Sequence, residues 1–115
     1  MIKWISLDSP MQIEEIIELS RNKPCIIFKH STNCGVSSFA QFKLEEDWIF
    51  SEEEVTTYLL DVIAHREIAR QIAEKFSVHH ESPQLLLIRN GDCTYDASHL
   101  DISVAELQEC FHDTF

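Results

Sequence analysis

Two short apolar runs constrain the fold of this chain more than any other feature of its sequence. The first run covers Cys25–His30 and turns polar only at its end, and the second covers Gln84–Ile88 directly after a proline. A short, continuous apolar run is typical of a central strand that is covered on both faces of a sheet. The chain is therefore predicted to contain a buried sheet with helices packed against both faces.

The segments around these two runs alternate between strand and helix patterns. Lys3–Leu7 and Val55–Val62 are predicted strands, and the tight-turn signal Asn90-Gly91 leads into a last strand over Asp92–Asp96. Helices are predicted where apolar residues recur at helical spacing. The first helix follows Pro10 and is predicted to bury Ile13, Ile16 and Ile17, and the second begins near Cys34 and is predicted to bury Val36, Phe39 and Ala40. The third covers His65–Phe76. The fourth follows the capping residue Ser103 and is predicted to bury Val104, Leu107 and Phe111.

The resulting order is βαβαβαββα. Helices between successive strands favour parallel pairing, and the tight turn favours one antiparallel hairpin at the end. A chain of 115 residues has room for one hydrophobic core. The prediction is a single α/β domain over residues 1–115 with a five-stranded mixed sheet.

The charge of the chain excludes several classes of function. Nine Lys and Arg residues stand against twenty Asp and Glu residues, which gives a net charge of -11. So acidic a protein repels phosphate backbones and anionic lipid, so neither nucleic acid nor a membrane is an expected partner. The acid-rich segment Glu45–Glu54 is predicted to be a solvated loop that packs its aromatic residues beneath the domain.

The start of the sequence predicts a cytoplasmic location. Residues 1–10 show no basic region followed by a long apolar stretch, and no run approaches the ~18 apolar residues of a membrane span. In the cytoplasm thiols stay reduced, so a cysteine there is reactive, metal-binding or buried rather than disulfide-bonded.

Cys34 is the cysteine at which the sequence predicts chemistry. It follows a central strand and opens a helix, and the unpaired N–H groups of a helix N-terminus favour a thiolate and lower its pKa. Ser37 lies on the same helix face and can donate a hydrogen bond to sulfur, while Lys29 and His30 add positive charge nearby. The residues predicted to support the thiolate are Thr32, Asn33, Ser37 and Lys29.

The other three cysteines are predicted to be packing residues, because a free cysteine behaves as a small hydrophobe. Cys25 lies in a buried strand, Cys93 beside the hairpin turn and Cys110 on the last helix. Spacing excludes a dithiol site, since Ser37 stands where the second cysteine would be. A metal site is not expected either, because no cysteine has a second cysteine within four residues.

The sequence around Cys34 carries a resemblance to a known family. The run Lys29-His30-Ser31-Thr32-Asn33-Cys34-Gly35-Val36-Ser37, together with His80-Glu81-Ser82-Pro83-Gln84 and Ser98-His99, is similar to the monothiol bacilliredoxin-like (general stress) family of the bacillithiol system. The resemblance implies a thioredoxin-like fold over the whole chain. One departure is Gly35, which stands where that family more often has proline.

The resemblance also implies an activity. Cys34 would attack mixed disulfides of thiolated client proteins and take a low-molecular-weight thiol, with bacillithiol as the expected co-substrate. Pro83 would form a cis peptide bond beside the cysteine, and its neighbours would bind substrate or thiol. The residues expected in that role are Ser82, Pro83, Gln84, Ser98 and His99, whereas His79 and His80 are expected to be solvated.

In the implied fold, Cys25 and the hairpin turn beside Cys93 lie at the end of the sheet away from Cys34. A disulfide needs Cα atoms within ~7 Å, so we expect no internal resolving cysteine. A second thiol molecule or a partner protein then resolves the oxidised intermediate by exchange. The protein is expected to act as a monomer or weak dimer.

Two other functions remain open from the sequence. Cys34-Gly35-Val36-Ser37 differs by one residue from the Cys-Gly-Phe-Ser signature of monothiol glutaredoxins that carry a [2Fe–2S] cluster, although their Gly-Gly-x-Asp motif is absent after the last strand. A cysteine-dependent coloured dimer after iron and sulfide reconstitution would favour that role. The chain could instead be a non-catalytic binding module, for which Cys34 would alkylate slowly.

Overall fold

The chain folds into strands and helices in the predicted order. The computed structural model describes residues 1–111. The elements are the strands β1 (Ile5–Ser6), β2 (Cys25–His30), β3 (Thr56–Asp61), β4 (Gln84–Arg89) and β5 (Asp92–Ser98), the helices α1 (Met11–Leu19), α2 (Gly35–Asp47), α3 (Arg66–Phe76) and α4 (Val104–Phe111), and a 3-10 turn over His99–Asp101. The predicted α/β class and five-stranded mixed sheet are confirmed.

The sheet places β2 at its centre. The strand order is β1-β3-β2-β4-β5, with β1 and β2 parallel to β3 and with β4 antiparallel to both β2 and β5. Lys29 pairs with Gln84, so β2 ends where β4 begins. We call this end of the sheet the His30 end. The turn that leaves β2 and the loop that enters β4 both lie there.

Two hydrophobic cores lie on opposite faces of the sheet. Alternate residues of a strand point to opposite faces. Cys25 and Ile27 of β2 accordingly pack with α1 and α3, whereas Ile26 and Phe28 pack with α2 and α4. Both faces of β2 are buried, as its continuous apolar run predicts.

The predicted inward face of α2 is confirmed at Ala40 but is wrong at Val36 and Phe39. Val36 and Phe39 are exposed, and the residues that α2 buries are Ser37, Ala40 and Leu44. Both sets recur at helical spacing, so the apolar pattern did not distinguish the two faces. The small side chain of Ser37 lies beneath the turn after β2, and this fixes the rotation of the helix.

The prediction of a loop over Glu45–Glu54 is correct only for its later part. Helix α2 continues through Asp47, supported by a 3.4 Å ion pair from Lys43 one helical turn earlier. The aromatic residues that follow do pack on the domain, since Phe50 contacts Phe111 with ring centroids 4.4 Å apart. Smaller differences lie at strand ends, where β1 is shorter and β5 longer than predicted.

Candidate active site

Cys34 lies at the His30 end of the sheet, directly before the first residue of α2. Its backbone is extended (φ -113°, ψ 120°), and its carbonyl oxygen accepts the N–H of Ser38 at 3.1 Å. Its own N–H donates to the carbonyl oxygen of Ser31 at 3.2 Å, which closes the turn after β2. The thiol is partly exposed, at the position where a helix presents unpaired N–H groups.

The helix start lowers the pKa of the Cys34 thiol. The backbone N–H groups of Ser37 and Val36 act on the thiolate most strongly, and the Ser37 hydroxyl contributes less. Partial desolvation opposes them without reversing the direction. Because the thiolate is the nucleophile in disulfide exchange, a lowered pKa raises the fraction of Cys34 that can react near neutral pH.

Ser37 has a second role in the turn. Its side chain is buried, and its Oγ atom accepts the N–H of Ser31 at 3.2 Å. A hydroxyl can donate one hydrogen bond while it accepts another. Ser37 therefore holds the start of the turn while its proton remains available to the sulfur of Cys34.

Three of the predicted thiolate-supporting residues are not among the groups that lower the pKa of Cys34. Thr32 and Asn33 are exposed in the turn, and neither contributes to the pKa shift of Cys34. Lys29 is fully buried, and strand alternation places it on the face of α1 and α3, whereas α2 covers the opposite face. The lysine ammonium therefore lies across the sheet from the helix that presents Cys34.

The peptide bond between Ser82 and Pro83 is cis, which confirms the prediction for Pro83. The proline is buried at the entrance to β4, and its carbonyl oxygen accepts the N–H of His99 at 2.9 Å. The Oγ atom of Ser82 is buried and has no hydrogen-bond partner within residues 1–111. The cis-proline loop, residues 79–83, thus lies at the same end of the sheet as Cys34.

The Gln84 side chain holds the cis-proline loop in place through hydrogen bonds. The side chain is buried, and its Oε1 atom accepts the ammonium of Lys29 at 2.8 Å. Its Nε2 atom donates to the carbonyl oxygen of His79 at 3.0 Å, and Glu81 N–H reaches Oε1 at 3.4 Å. These contacts occupy the amide inside the protein, so it is not presented to a substrate.

Ser98 and His99 end β5 beside the cis-proline loop. Ser98 pairs with Gln84, and His99 adopts a left-handed backbone (φ 55°). The His99 Nε2 atom lies 3.5 Å from Glu81, and the His79 Nε2 atom lies 3.6 Å from the same carboxylate. Glu81 therefore links the cis-proline loop to the turn after β5.

Glu81 and the Lys29–Gln84 contact were not identified from the sequence. A lysine inside an apolar run and a glutamine directly after proline are the signals that could have shown the buried pair. His79 and His80 are exposed, as expected. The pKa of His80 is nevertheless lowered, first by partial desolvation of its ring and then by the charge of Lys29.

The remaining cysteines lie away from this end of the sheet. All four cysteines fall within residues 1–111, and none forms a disulfide. Cys25 begins β2 and pairs with Ile88, which also pairs with Cys93 next to the hairpin turn. Burial raises the pKa of both thiols to about 11, so they are poor nucleophiles near neutral pH.

Residues 1–111 contain neither a metal-binding cluster nor a membrane-spanning helix. No cluster of three or more His, Cys, Asp and Glu side chains has the geometry to hold a metal ion. Among the same residues, no helix is both long enough and apolar enough to cross a membrane.

A mixed sheet, a single cysteine at the start of the helix after its central strand, and a cis-proline at the entrance to the neighbouring strand define a thioredoxin-fold protein of the monothiol type. A family model described as "Monothiol bacilliredoxin BrxC" matches residues 5–107. The chain belongs to the monothiol bacilliredoxin family.

Solved structures show the same fold. A thioredoxin-fold protein provisionally described as an oxidoreductase is 34% identical, with a TM-score of 0.78 over 91% of this chain and 90% of that one. Thioredoxin from Malassezia sympodialis is 17% identical, with a TM-score of 0.73 over 96% of this chain and 90% of its own. Thioredoxin from Schistosoma mansoni is 21% identical, with a TM-score of 0.68 over 95% and 93%.

Proposed function

We propose that this protein removes bacillithiol from mixed disulfides of thiolated client proteins, with Cys34 as the nucleophile, in the cytoplasm and as a monomer. The observation that carries the proposal is the lowered pKa of Cys34 at the start of α2, with Ser37 in place of a second cysteine. Membership of the monothiol bacilliredoxin family supports thiol chemistry at Cys34. That bacillithiol is the thiol is the further step that we propose.

The reaction is two successive disulfide exchanges. In the first, the Cys34 thiolate attacks the bacillithiol sulfur of the mixed disulfide, a Cys34–bacillithiol bond forms, and the client cysteine leaves as a thiolate that solvent protonates. In the second, another bacillithiol thiolate attacks the sulfur of the bound bacillithiol. This releases the Cys34 thiolate and a bacillithiol disulfide. Over the two steps the client cysteine is reduced, and the added bacillithiol supplies the electrons and ends in the disulfide.

The site assists both exchanges electrostatically. The N–H groups of Val36 and Ser37 stabilise Cys34 as the attacking thiolate in the first step and as the leaving thiolate in the second. A thiol of lower pKa leaves faster, so the same lowered pKa serves both steps. Ser82, directly before the cis-proline, would offer its backbone groups to an extended substrate in the manner of an added strand.

The test uses one client protein that carries a single bacillithiol mixed disulfide, followed by intact-protein mass spectrometry with excess bacillithiol. We expect the wild-type protein to remove the adduct and Cys34→Ala to leave it in place. Cys93→Ala is the matched control and should retain activity, because its thiol is buried away from the site. Full activity of Cys34→Ala would refute the proposal.

A further inference from the structure

The apolar residues of α2 that point away from the core form a surface beside the nucleophile. Within residues 1–111, ten large apolar side chains are exposed, and three of them lie on the first two turns of α2, the helix that begins directly after Cys34. Val36, Phe39 and Phe42 follow one another along α2 and are 42%, 54% and 59% exposed. Leu100, in the 3-10 turn, is 75% exposed. We call these four residues the α2 apolar surface.

A groove between α2 and the 3-10 turn joins the two parts of this surface. Phe39 and Leu100 both line it, together with Ile102 at its floor and His99 on the side of the cis-proline loop. Its volume is near 190 Å³. A cavity of about 150 Å³ holds a benzene ring, so the groove has room for one apolar side chain.

The charge distribution separates this surface from the rest of the molecule. A quarter of the chain is charged, at 25% of residues, yet the eight-residue stretch from Gly35 to Phe42 contains no charged side chain. The charged residues that follow are Lys43, Glu45, Glu46 and Asp47. Lys43 and Asp47, which also line the groove, form an ion pair with each other. An exposed apolar patch with a polar rim is typical of a protein-binding surface.

We propose that the α2 apolar surface binds the client polypeptide, taking an apolar residue near its thiolated cysteine into the groove between Phe39 and Leu100. This inference rests on the proposed function, because it concerns the client whose disulfide Cys34 attacks. Continuity with the site supports it. Val36 is two positions from Cys34, so a client whose mixed disulfide reaches the Cys34 sulfur lies close to the start of this surface.

A second copy of the chain fits this surface less well than a client. Two molecules that each carry a net charge of -11 repel one another. A second copy seated on Val36 would also cover the thiol that the reaction needs. The exposed apolar side chains of Val36, Phe39 and Leu100 match an apolar client segment instead, and the Lys43 and Asp47 charges that line the groove are paired with each other.

The test uses synthetic peptides that carry one cysteine as a disulfide with thionitrobenzoate. The Cys34 thiolate attacks the peptide sulfur, a Cys34–peptide disulfide forms, and coloured thionitrobenzoate leaves as a thiolate. One peptide has leucine beside its cysteine and the other has serine. Each rate is divided by the rate with the thionitrobenzoate disulfide of mercaptoethanol, which corrects for the reactivity of the thiol.

We expect the wild-type protein to react about tenfold faster with the leucine peptide than with the serine peptide, and Phe39→Ser/Leu100→Ser to lose that preference. Ile49→Ser is the matched control, because Ile49 is 57% exposed just beyond the far end of α2, and it should keep the preference. An equal preference in the double variant, or none in the wild type, would overturn the inference.

Three further outcomes are distinguishable. A wild-type dimer in sedimentation that the double variant dissociates would assign the surface to self-association and overturn the inference. If the peptide preference holds but bacillithiol is not removed from a client, the proposed function fails and the docking surface stands. If bacillithiol is removed without any peptide preference, the docking surface fails and the proposed function stands.

Discussion

The Lys29 ammonium and the Gln84 side-chain oxygen, joined by a hydrogen bond of 2.8 Å, connect the central strand to the cis-proline loop. Both side chains are fully or almost fully buried, and the two residues are paired across β2 and β4. β2 leads to Cys34, and the Gln84 amide in turn holds the carbonyl oxygen of His79. The contact therefore positions the two segments that make up the site, although neither side chain reaches the sulfur.

Gln84→Leu is expected to destabilise the protein. Leucine has a similar volume but leaves the buried Lys29 ammonium without this acceptor, which costs on the order of 2–4 kcal/mol in unfolding free energy. Urea unfolding near neutral pH measures the loss. Lys29→Met and the double variant complete the cycle, and the double variant should lose less than the sum of the single losses. Additive losses would show that the two residues do not depend on each other.

The buried Lys29 should also make stability depend on pH. Burial lowers its pKa from 10.5 to about 8, so between these values the unfolded chain binds more protons than the native state. The free energy of unfolding contributed by Lys29 therefore rises with pH in that window, while below it the burial penalty is complete. From about pH 7 to about pH 10, wild type should gain on the order of 1–3 kcal/mol relative to Lys29→Met.

Comparison with Lys29→Met isolates this effect from the thiols. Burial raises the pKa of Cys25 and Cys93 to about 11, and their contribution to stability falls with rising pH in both proteins. The Cys25 contribution therefore cancels in the difference between wild type and variant. The Cys93 thiol interacts electrostatically with Lys29, so the two proteins are compared in a Cys93→Ala background. If the difference in unfolding free energy between wild type and Lys29→Met stays constant from about pH 7 to about pH 10, burial does not lower the pKa of Lys29 and the prediction is wrong.

Ser37→Ala should raise the pKa of Cys34. The substitution removes the hydroxyl contribution but keeps the backbone N–H groups that act more strongly, so the shift is partial. The rate of Cys34 alkylation by iodoacetamide, followed against pH, reports the thiolate directly. The variant should also lose about 1 kcal/mol of stability, because Ser31 N–H loses its acceptor. Ser38→Ala is the exposed control in the same turn of helix, and an equal titration shift in it would contradict the assignment to Ser37.

The order of strands and helices was predictable because each central strand is a continuous apolar run between turn residues. The cis bond at Pro83 followed from the family resemblance and not from the residues alone. The rotation of α2 was not predictable, because Ala40 stands at helical spacing from exposed Val36 as well as from buried Ser37 and Leu44. The residue that distinguishes the two faces is Ser37, whose side chain is buried under the turn after β2. A pattern of apolar residues cannot show that a serine lies on the inner face.

The position of Lys29 was predictable from strand alternation but was inferred from sequence distance instead. Lys29 lies five positions before Cys34, a short distance along the chain that suggests that its charge reaches the thiolate. Residues two apart in a strand share a face, so Lys29 follows Cys25 and Ile27 onto the face of α1 and α3. The contact with Gln84 depends on which strand neighbours β2, and the sequence alone does not state that register.

Gly91→Ala is expected to destabilise the hairpin between β4 and β5. Gly91 adopts φ +83°, where an alanine is strained, and an added Cβ would lie 3.4 Å from the Cγ2 atom of Ile17. The Gly91 N–H also donates to the Ser20 hydroxyl at 2.8 Å, which leaves the turn little freedom to adjust. We expect a loss of about 1 kcal/mol or more in urea unfolding. A variant as stable as wild type would show that the turn can change its conformation.

Gly35→Pro is expected to do the opposite and to stabilise the protein. Gly35 is the first residue of α2, where proline is favoured, and an added Cβ meets nothing within 4 Å. The extended backbone of Cys34, at φ -113° and ψ 120°, is the conformation that a residue before proline prefers. Fewer unfolded conformations should add about 0.4–1 kcal/mol to the unfolding free energy. The N–H groups that lower the pKa of Cys34 belong to Val36 and Ser37, so the alkylation profile of Cys34 should not move. A profile shifted to higher pH would show that the Gly35 N–H also holds the thiolate.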